Sequence, residues 1–355
     1  MSKKDKNKNK ENKKETSKND KNKLDEVDVL ETSKSLQPKI NSDAKNLEIK
    51  VKFVERYKSL FGSDYDEFMK YSLMYIRKSV RLNTLKAPLN EIKARLEKNW
   101  NLTPVPWCKE GFWIKYIKEK RFDIGNTPEH QLGLIYVQDA ASMIPPVVLA
   151  PKPEEVVLDM CAAPGSKTSQ IAQYMNNEGL LIANDVKGDR LKALGINLQR
   201  CGVHNALATM QQGSFYRKMS FDKVLVDAPC SGTGTIRRSY KILRMWSPGL
   251  VRKMAGIQKQ LIQAGFMALK PGGEMVYSTC TQEPEENEAI VSFLLEHYPD
   301  AKLLDIDIPI KRRKPFAEFE GQKYLDVSKC LRIAPQDNDS EGFFVAKIQK
   351  TLQKS

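Results

Sequence analysis

The stretch Glu154–Thr168, "EEVVLDMCAAPGSKT", decides the fold. Its continuous apolar run, closing on Asp159, reads as a strand buried on both faces, and a turn of small residues then leads into a helix from about Lys167 to Met175. The same unit recurs downstream. "GLLIAND" (179–185) runs into a helix over 188–201, and "NALAT" (205–209), "DKVLVDA" (222–228) and "GGEMVYST" (272–279) are the later strands. Apolar strands separated by helices predict a parallel sheet covered on both sides, a doubly wound α/β fold. "EGFFVAKIQ" near the end supplies a last strand, expected to be antiparallel.

In such a sheet ligands bind outside the carboxyl ends of the strands. That rule gathers Asp159, Asp185, Gln212, Asp227–Cys230 and Thr279–Thr281 on one edge, with two cysteines, Cys230 and Cys280, among them. In the first turn Ala162, Ala163 and Gly165 let a ligand approach the backbone, and the helix start offers unpaired N–H groups. A phosphate-binding Walker loop is excluded: it needs glycine directly before Lys167 and again five residues earlier, where this chain has Ser166 and Cys161. Asp185 can accept both hydroxyls of a ribose or cap the following helix, and the first turn favours the ribose.

Upstream, residues 46–75 carry apolar side chains at helical spacing, predicting two or three short helices. A small α+β unit follows over roughly 77–125, with a strand at 79–84, a helix at 88–100, and short strands in "LTPVPW" and "FWIKYI". The domain reading is therefore a Lys/Asn-rich disordered tail at 1–44, an N-terminal helical and α+β region at 45–128, and the doubly wound domain at 129–350.

The 355 residues are long enough to bury a sizeable core. With 58 Lys and Arg against 44 Asp and Glu the net charge is +14, which points to an anionic partner. The first 24 residues hold ten lysines and four acids, so the excess extends beyond the tail. There is no apolar run of membrane-spanning length and no apolar core of a secretory leader, which predicts a cytoplasmic protein, nuclear or nucleolar if eukaryotic. Six scattered cysteines without a Cys-x-x-Cys pair, and only three histidines, argue against a zinc site or disulfide framework, so no metal is expected.

Four motifs together, "LDMCAAPGSKT", "DAPCSGTG", "YSTCT" followed by "EPEENEAIV", and "EGFFVAKIQK", resemble the Nop2/Sun family of RNA cytosine carbon-5 methyltransferases, in its archaeal tRNA/rRNA form, over roughly residues 77–350. The resemblance implies a class I methyltransferase, Rossmann-like fold that binds S-adenosylmethionine, with a small N-terminal α+β RNA-binding domain. Cys161, Ala162, Ala163, Pro164, Gly165, Ser166 and Lys167 would wrap the cofactor with Arg190, Asp185 would hold its ribose, and Asp227 would lie beside both cofactor and base. Two departures stand out: Gln212 occupies a position near the adenine often held by Asp, and Ser166 replaces a second glycine.

Carbon-5 of cytosine is too weak a nucleophile to attack a sulfonium methyl unless a thiolate first adds to carbon-6. The residues place two thiols on one edge without saying which attacks. The resemblance nominates Cys280, of the Thr-Cys motif, as nucleophile, with Cys230 aiding release, Asp227 bonding the cytosine, and Lys167 lowering a thiol pKa. The RNA is expected to be tRNA ahead of rRNA, on the compact length, and the protein a monomer. The rival reading is a non-catalytic RNA-binding assembly factor, against which both cysteines stand. Elsewhere, Glu283, Glu285, Glu286 and Glu288 read as an acidic helix start, "KRRK" (311–314) and "IRRSYKILR" (236–244) as phosphate-contacting loops, and Cys108, Cys201 and Cys330 as small core or surface residues.

Overall fold

A computed structural model describes residues 47–118 and 123–352; the tail expected at 1–44 lies outside the described residues. The chain begins with α1 (Val51–Phe61) and α2 (Tyr65–Leu73), followed by β1 (Ser79–Leu82), α3 (Leu89–Glu97), β2 (Trp100–Val105), β3 (Cys108–Tyr116), α4 (Pro128–Gln131) and β4 (Ile135–Val137). The strands form an antiparallel four-stranded sheet in the order β2-β3-β1-β4, with its own core of Val80, Leu82, Ile92, Leu96 and Phe112.

Two expectations change here. The small sheet reaches past 128, because β4, three residues long and too short for any periodicity, pairs with β1. And α1 and α2 join the core of the larger domain rather than that of the small sheet. Phe53 stacks on Tyr57 at 4.0 Å and meets Trp246 edge-on at 5.2 Å. Each such buried ring contributes roughly 1.5–3 kcal/mol, which fixes the helices to the large domain.

That domain runs through α5 (Ile144–Leu149), β5 (Val156–Asp159), α6 (Ser166–Tyr174), β6 (Leu180–Asn184), α7 (Gly188–Cys201), β7 (Ala206–Thr209) and β8 (Phe221–Asp227). It continues with α8 (Lys241–Met245), α9 (Pro248–Met267), β9 (Leu269–Thr279), α10 (Glu288–His297), β10 (Ala301–Leu304), β11 (Glu318–Phe319), β12 (Gln322–Lys323), β13 (Leu331–Ile333), α11 (Pro335–Asn338) and β14 (Phe343–Lys350). The sheet order is β10-β14-β9-β8-β5-β6-β7, with β13 also on β14. β5 to β9 are parallel and β14 is antiparallel to β9, as expected. The chain starts in the middle and winds outward both ways, so the order reverses between β5 and β8. Crevices form at such a switch point, and Asp159 and Asp227 end those two strands.

Local chemistry sets the boundaries. Ser247 accepts a hydrogen bond from Leu250 N with Pro248 in the first turn, starting α9, and Gly202 at φ 73° ends α7. Among the described residues no helix is long and apolar enough to cross a membrane.

Candidate active site

At the carboxyl ends of β5 and β8 lies a cavity of about 450 Å³, within the range of small-molecule sites. The turn after β5 gives it Asp159, Cys161, Ala162, Ala163, Pro164, Ser166 and Lys167; α7 gives Arg190, β8 Asp227, and the end of β9 Cys280. Gly165, at φ 105°, makes the bend that starts α6, a conformation that strains any side chain. The small residues beside it leave the cavity open.

Asp159 is 1% exposed; its Oδ2 accepts from the Thr168 hydroxyl at 2.7 Å while Oδ1 has no partner. Burial pushes its pKa up to about 7. An orphaned buried oxygen on a cavity wall suits a donor on a ligand. Asp185 is buried at the end of β6, where Oδ1 accepts from Lys187 N at 3.0 Å, so it also makes the local turn of the capping alternative. Its Oδ2 lies 2.8 Å from Arg190 Nη1, and Arg190 also donates to the Ala163 carbonyl. Asp185 is thus tied to the lining through Arg190 without lining the cavity itself. Gln212 is exposed and stands outside the lining.

The two thiols converge. Cys230 Sγ lies 3.2 Å from Cys280 Sγ. The hydrogen bond from Cys230, with help from Lys167 and Arg238, brings the Cys280 thiol below its usual value despite burial and Asp227; the same bond and burial push Cys230 well up. Lys167 Nζ donates to Asp227 Oδ2 at 2.7 Å, and the Ser278 hydroxyl donates to Oδ1 at 2.8 Å. Burial alone would lower the Lys167 ammonium, but Asp227 reverses the sign and holds it protonated.

The loops carrying the thiols are clamped by polar groups. The Thr281 hydroxyl bonds those of Ser231 at 2.7 Å and Thr233 at 2.9 Å, Gly234 N donates to the Cys280 carbonyl at 2.9 Å, and Gly342 N donates to the Gly234 carbonyl at 2.9 Å. A Cβ on Gly234 would stand 2.2 Å from the Gly342 oxygen and 2.8 Å from that of Cys280. Only glycine permits this approach.

The acidic row after Cys280 stands at a helix start, as expected, with Glu285 and Glu286 in a short 3-10 turn and Glu288 opening α10, but it is not a solvated one. Glu283, Glu286 and Glu288 are fully buried, each because donors from elsewhere in the chain converge on it. Glu283 accepts from the Tyr57 hydroxyl at 2.9 Å, Trp246 Nε1 at 2.8 Å and Arg56 Nε at 3.1 Å, joining α1 to the cysteine loop. Glu286 accepts from Ser231 N at 2.9 Å and Gln258 Nε2 at 2.8 Å, and burial pushes it up to about 7. Glu288 pairs with Arg332 at 3.0 Å. No cluster of three or more potential metal ligands occurs among the described residues.

Part of the basic-loop expectation also changes. Arg237 is buried, donating to the Tyr75 carbonyl and to Asp339, and Arg313 pairs with Asp64 and Asp337, so both serve the fold. Arg238 is exposed and lines the cavity. Cys108, Cys201 and Cys330 are buried. The far wall escapes sequence reasoning: Gln138, Asp139, Glu341 and Phe343 line it. Asp139 accepts from Ala141 N at 2.8 Å and Glu341 N at 3.4 Å. "QDAAS" directly after the very short β4 carries the only signal, and Glu341 reads in sequence as no more than the start of the last strand.

Residues 146–349 match the family model described as 16S rRNA methyltransferase RsmB/F, and residues 49–140 the N-terminal domain of 16S rRNA methyltransferase RsmF. The tRNA (cytosine(49)-C(5))-methyltransferase of Pyrococcus abyssi is 53% identical over 306 residues, 85% of this chain and 96% of that protein. The ribosomal RNA small subunit methyltransferase F of Vibrio vulnificus is 44% identical over 307 residues, and the chain spans 63% of its length. Among solved structures, a methyltransferase homolog protein from Pyrococcus horikoshii superposes with TM-score 0.74 at 38% identity, covering 84% of this chain and 94% of the other. NSun6 from the same organism, solved with SFG, shares the fold at TM-score 0.75 and 24% identity, over 86% and 99% of the two chains. With two family models meeting at the junction of its two sheets and a relative matching nearly end to end, the chain belongs to the RsmB/F (Nop2/Sun) family of S-adenosylmethionine-dependent RNA cytosine-5 methyltransferases.

Proposed function

We propose that this enzyme methylates carbon-5 of a cytosine in tRNA through a covalent adduct between Cys280 and carbon-6. The observation that carries the reading is the 3.2 Å contact of Cys230 with Cys280, which itself lines the cavity that also holds the Lys167–Asp227 pair. Cys280, the thiol with the lowered pKa, attacks as thiolate; the new C–S bond loads electron density onto carbon-5. Asp227, oriented by Lys167 and Ser278, accepts from the protonated ring nitrogen of the adduct. Once carbon-5 carries the methyl group, its proton leaves, the electron pair of that C–H bond restores the 5,6 double bond and the Cys280–carbon-6 bond breaks. Cys230, 3.2 Å away, is placed to give its thiol proton to the departing Cys280 sulfur and to take up the carbon-5 proton in its place.

The site fits the cofactor. The orphaned Asp159 oxygen, the small-residue turn and the Asp185–Arg190 pair suit a ligand with an amino group, a ribose and an extended chain. Cys161–Lys167, Asp185, Arg190 and Asp227 would hold it, with Gln212 kept as the adenine candidate. S-adenosylmethionine, when bound, supplies the electrophilic methyl group.

The choice of tRNA rests on the 53% identity and near-complete coverage of the tRNA-modifying relative, which also nominates cytosine 49; the RsmB/F and RsmF descriptions favour 16S rRNA as the second reading. The cytoplasm, where both RNAs are met, is the proposed compartment. Incubation with methyl-labelled cofactor, tRNA and 16S rRNA transcripts, followed by mapping of 5-methylcytosine, tests the choice. Label in cytosine 49 of tRNA is expected, and label confined to 16S rRNA overturns it.

A further inference from the structure

Beside the active-site cavity lies a second hollow of about 330 Å³. The two share Val137, Gln138, Asp139 and Arg238, which form a common partition. The far side of the second hollow comes from the small domain, where Arg77 and Lys78 precede β1 and are both exposed. The Arg77 guanidinium lies 4.2 Å over the Trp113 ring, which fixes its direction without using up its charge.

Acidic groups also face this region and set the balance. Asp123 turns back on its own loop to accept from Gly125 N. Asp139 is buried and spends Oδ1 on two backbone N–H groups, and Asp339 acts on Arg77. Arg238 has Nε 2.7 Å from Glu341 Oε1, with its side chain 58% exposed. Neither of its Nη groups has a hydrogen bond among the described residues. The accessible side of the partition is therefore cationic.

Successive nucleosides in RNA are joined by a phosphate. With the target cytosine beside Cys280, an RNA strand leaving the first cavity over the partition would carry its linking phosphate past Arg238, whose fork of N–H donors matches phosphate oxygens. We propose that the second hollow is the subsite for the nucleotide next to the target cytidine, with Arg238 on the linking phosphate and Arg77 and Lys78 on the next. The proposal rests on the cytosine-methylation reading above and adds how the small domain grips the strand.

The test uses the full chain and a tRNA substrate in which a neutral methylphosphonate replaces the phosphate on the 5′ or the 3′ side of the target cytidine. For the wild-type enzyme one of the two replacements should lower kcat/KM about tenfold or more, the scale of losing a charge-assisted hydrogen bond. In Arg238→Gln the same replacement should cost less than about twofold, while Arg238→Lys keeps part of the sensitivity. Penalties that multiply independently, or wild-type indifference to both replacements, would overturn the subsite. Absence of 5-methylcytosine in the unmodified substrate would instead sink the underlying reading. Because Arg238 also pairs with buried Glu341, the exposed pair is tested separately. Arg77→Ala/Lys78→Ala should raise KM more than it lowers kcat and flatten the log–log salt slope by about 0.7 for each phosphate that is no longer neutralised; an unchanged slope counts against the proposal.

Discussion

Replacing Arg56 by Met should destabilise the protein in a pH-dependent way. Arg56 reaches from α1 to Glu283, three residues beyond Cys280, with its side chain 12% exposed against 0% for Glu283. Removing one partner of a buried pair costs roughly 3–5 kcal/mol. Here the Tyr57 and Trp246 donors remain on Glu283, and the Arg56 pairs with Glu285 and Glu320 are more exposed and add little, so a loss of about 2–3 kcal/mol is expected at pH 8. Methionine keeps the apolar stem over Phe319, where the guanidinium now sits 4.7 Å from the ring. Burial already raises the Glu283 carboxyl above its ordinary value, and Arg56 is the largest influence pulling it back; the variant raises it further. A native state that holds its proton to higher pH loses stability as pH rises through that window. The variant should therefore approach wild type near pH 4.5 and fall behind as pH rises, with a plateau above the folded pKa of Glu283. Urea unfolding at pH 4.5 and pH 8 measures this, with unchanged m-values as the control. A loss below about 0.5 kcal/mol at pH 8, or an equal loss at both pH values, would refute the reasoning.

Asp185→Ala should weaken S-adenosylmethionine binding by about 1–3 kcal/mol, read by calorimetry; unchanged affinity would remove Asp185 from the cofactor site. Gly234→Ala forces a Cβ to within 2.2 Å of the Gly342 oxygen, so the two cysteine loops must part. Its turnover should fall at least tenfold with cofactor affinity nearly unchanged, and wild-type turnover would show that the clamp does not position the thiols.

Much of the large domain is legible in the sequence because its strands announce themselves. Buried parallel strands read as apolar runs, and the helix expected over 188–201 has that span in the structure. The edge rule then brings Asp159, Asp227 and Cys280 to one cavity, whereas Asp185, Gln212 and Cys230, gathered by the same rule, stand outside its lining. What escapes notice depends on contacts distant in sequence. β4 has three residues and gains its identity only from pairing with β1, and α1 declares its partner only when Tyr57 and Arg56 meet Glu283. The acidic row reads correctly as a helix start, but a sequence window cannot show that Ser231, Gln258 and Arg332 come from elsewhere to bury it. Asp139 and Glu341, separated by about two hundred residues, form one wall for the same reason.

The division of labour between the two thiols is tested most directly by a denaturing gel of the cysteine variants with substrate RNA and cofactor. Cys280→Ala should form no adduct and transfer no methyl group, since no thiolate reaches carbon-6. Cys230→Ala should attack and then stall, accumulating a protein–RNA species that survives denaturation. An adduct in Cys280→Ala with none in Cys230→Ala would contradict the account and make Cys230 the nucleophile.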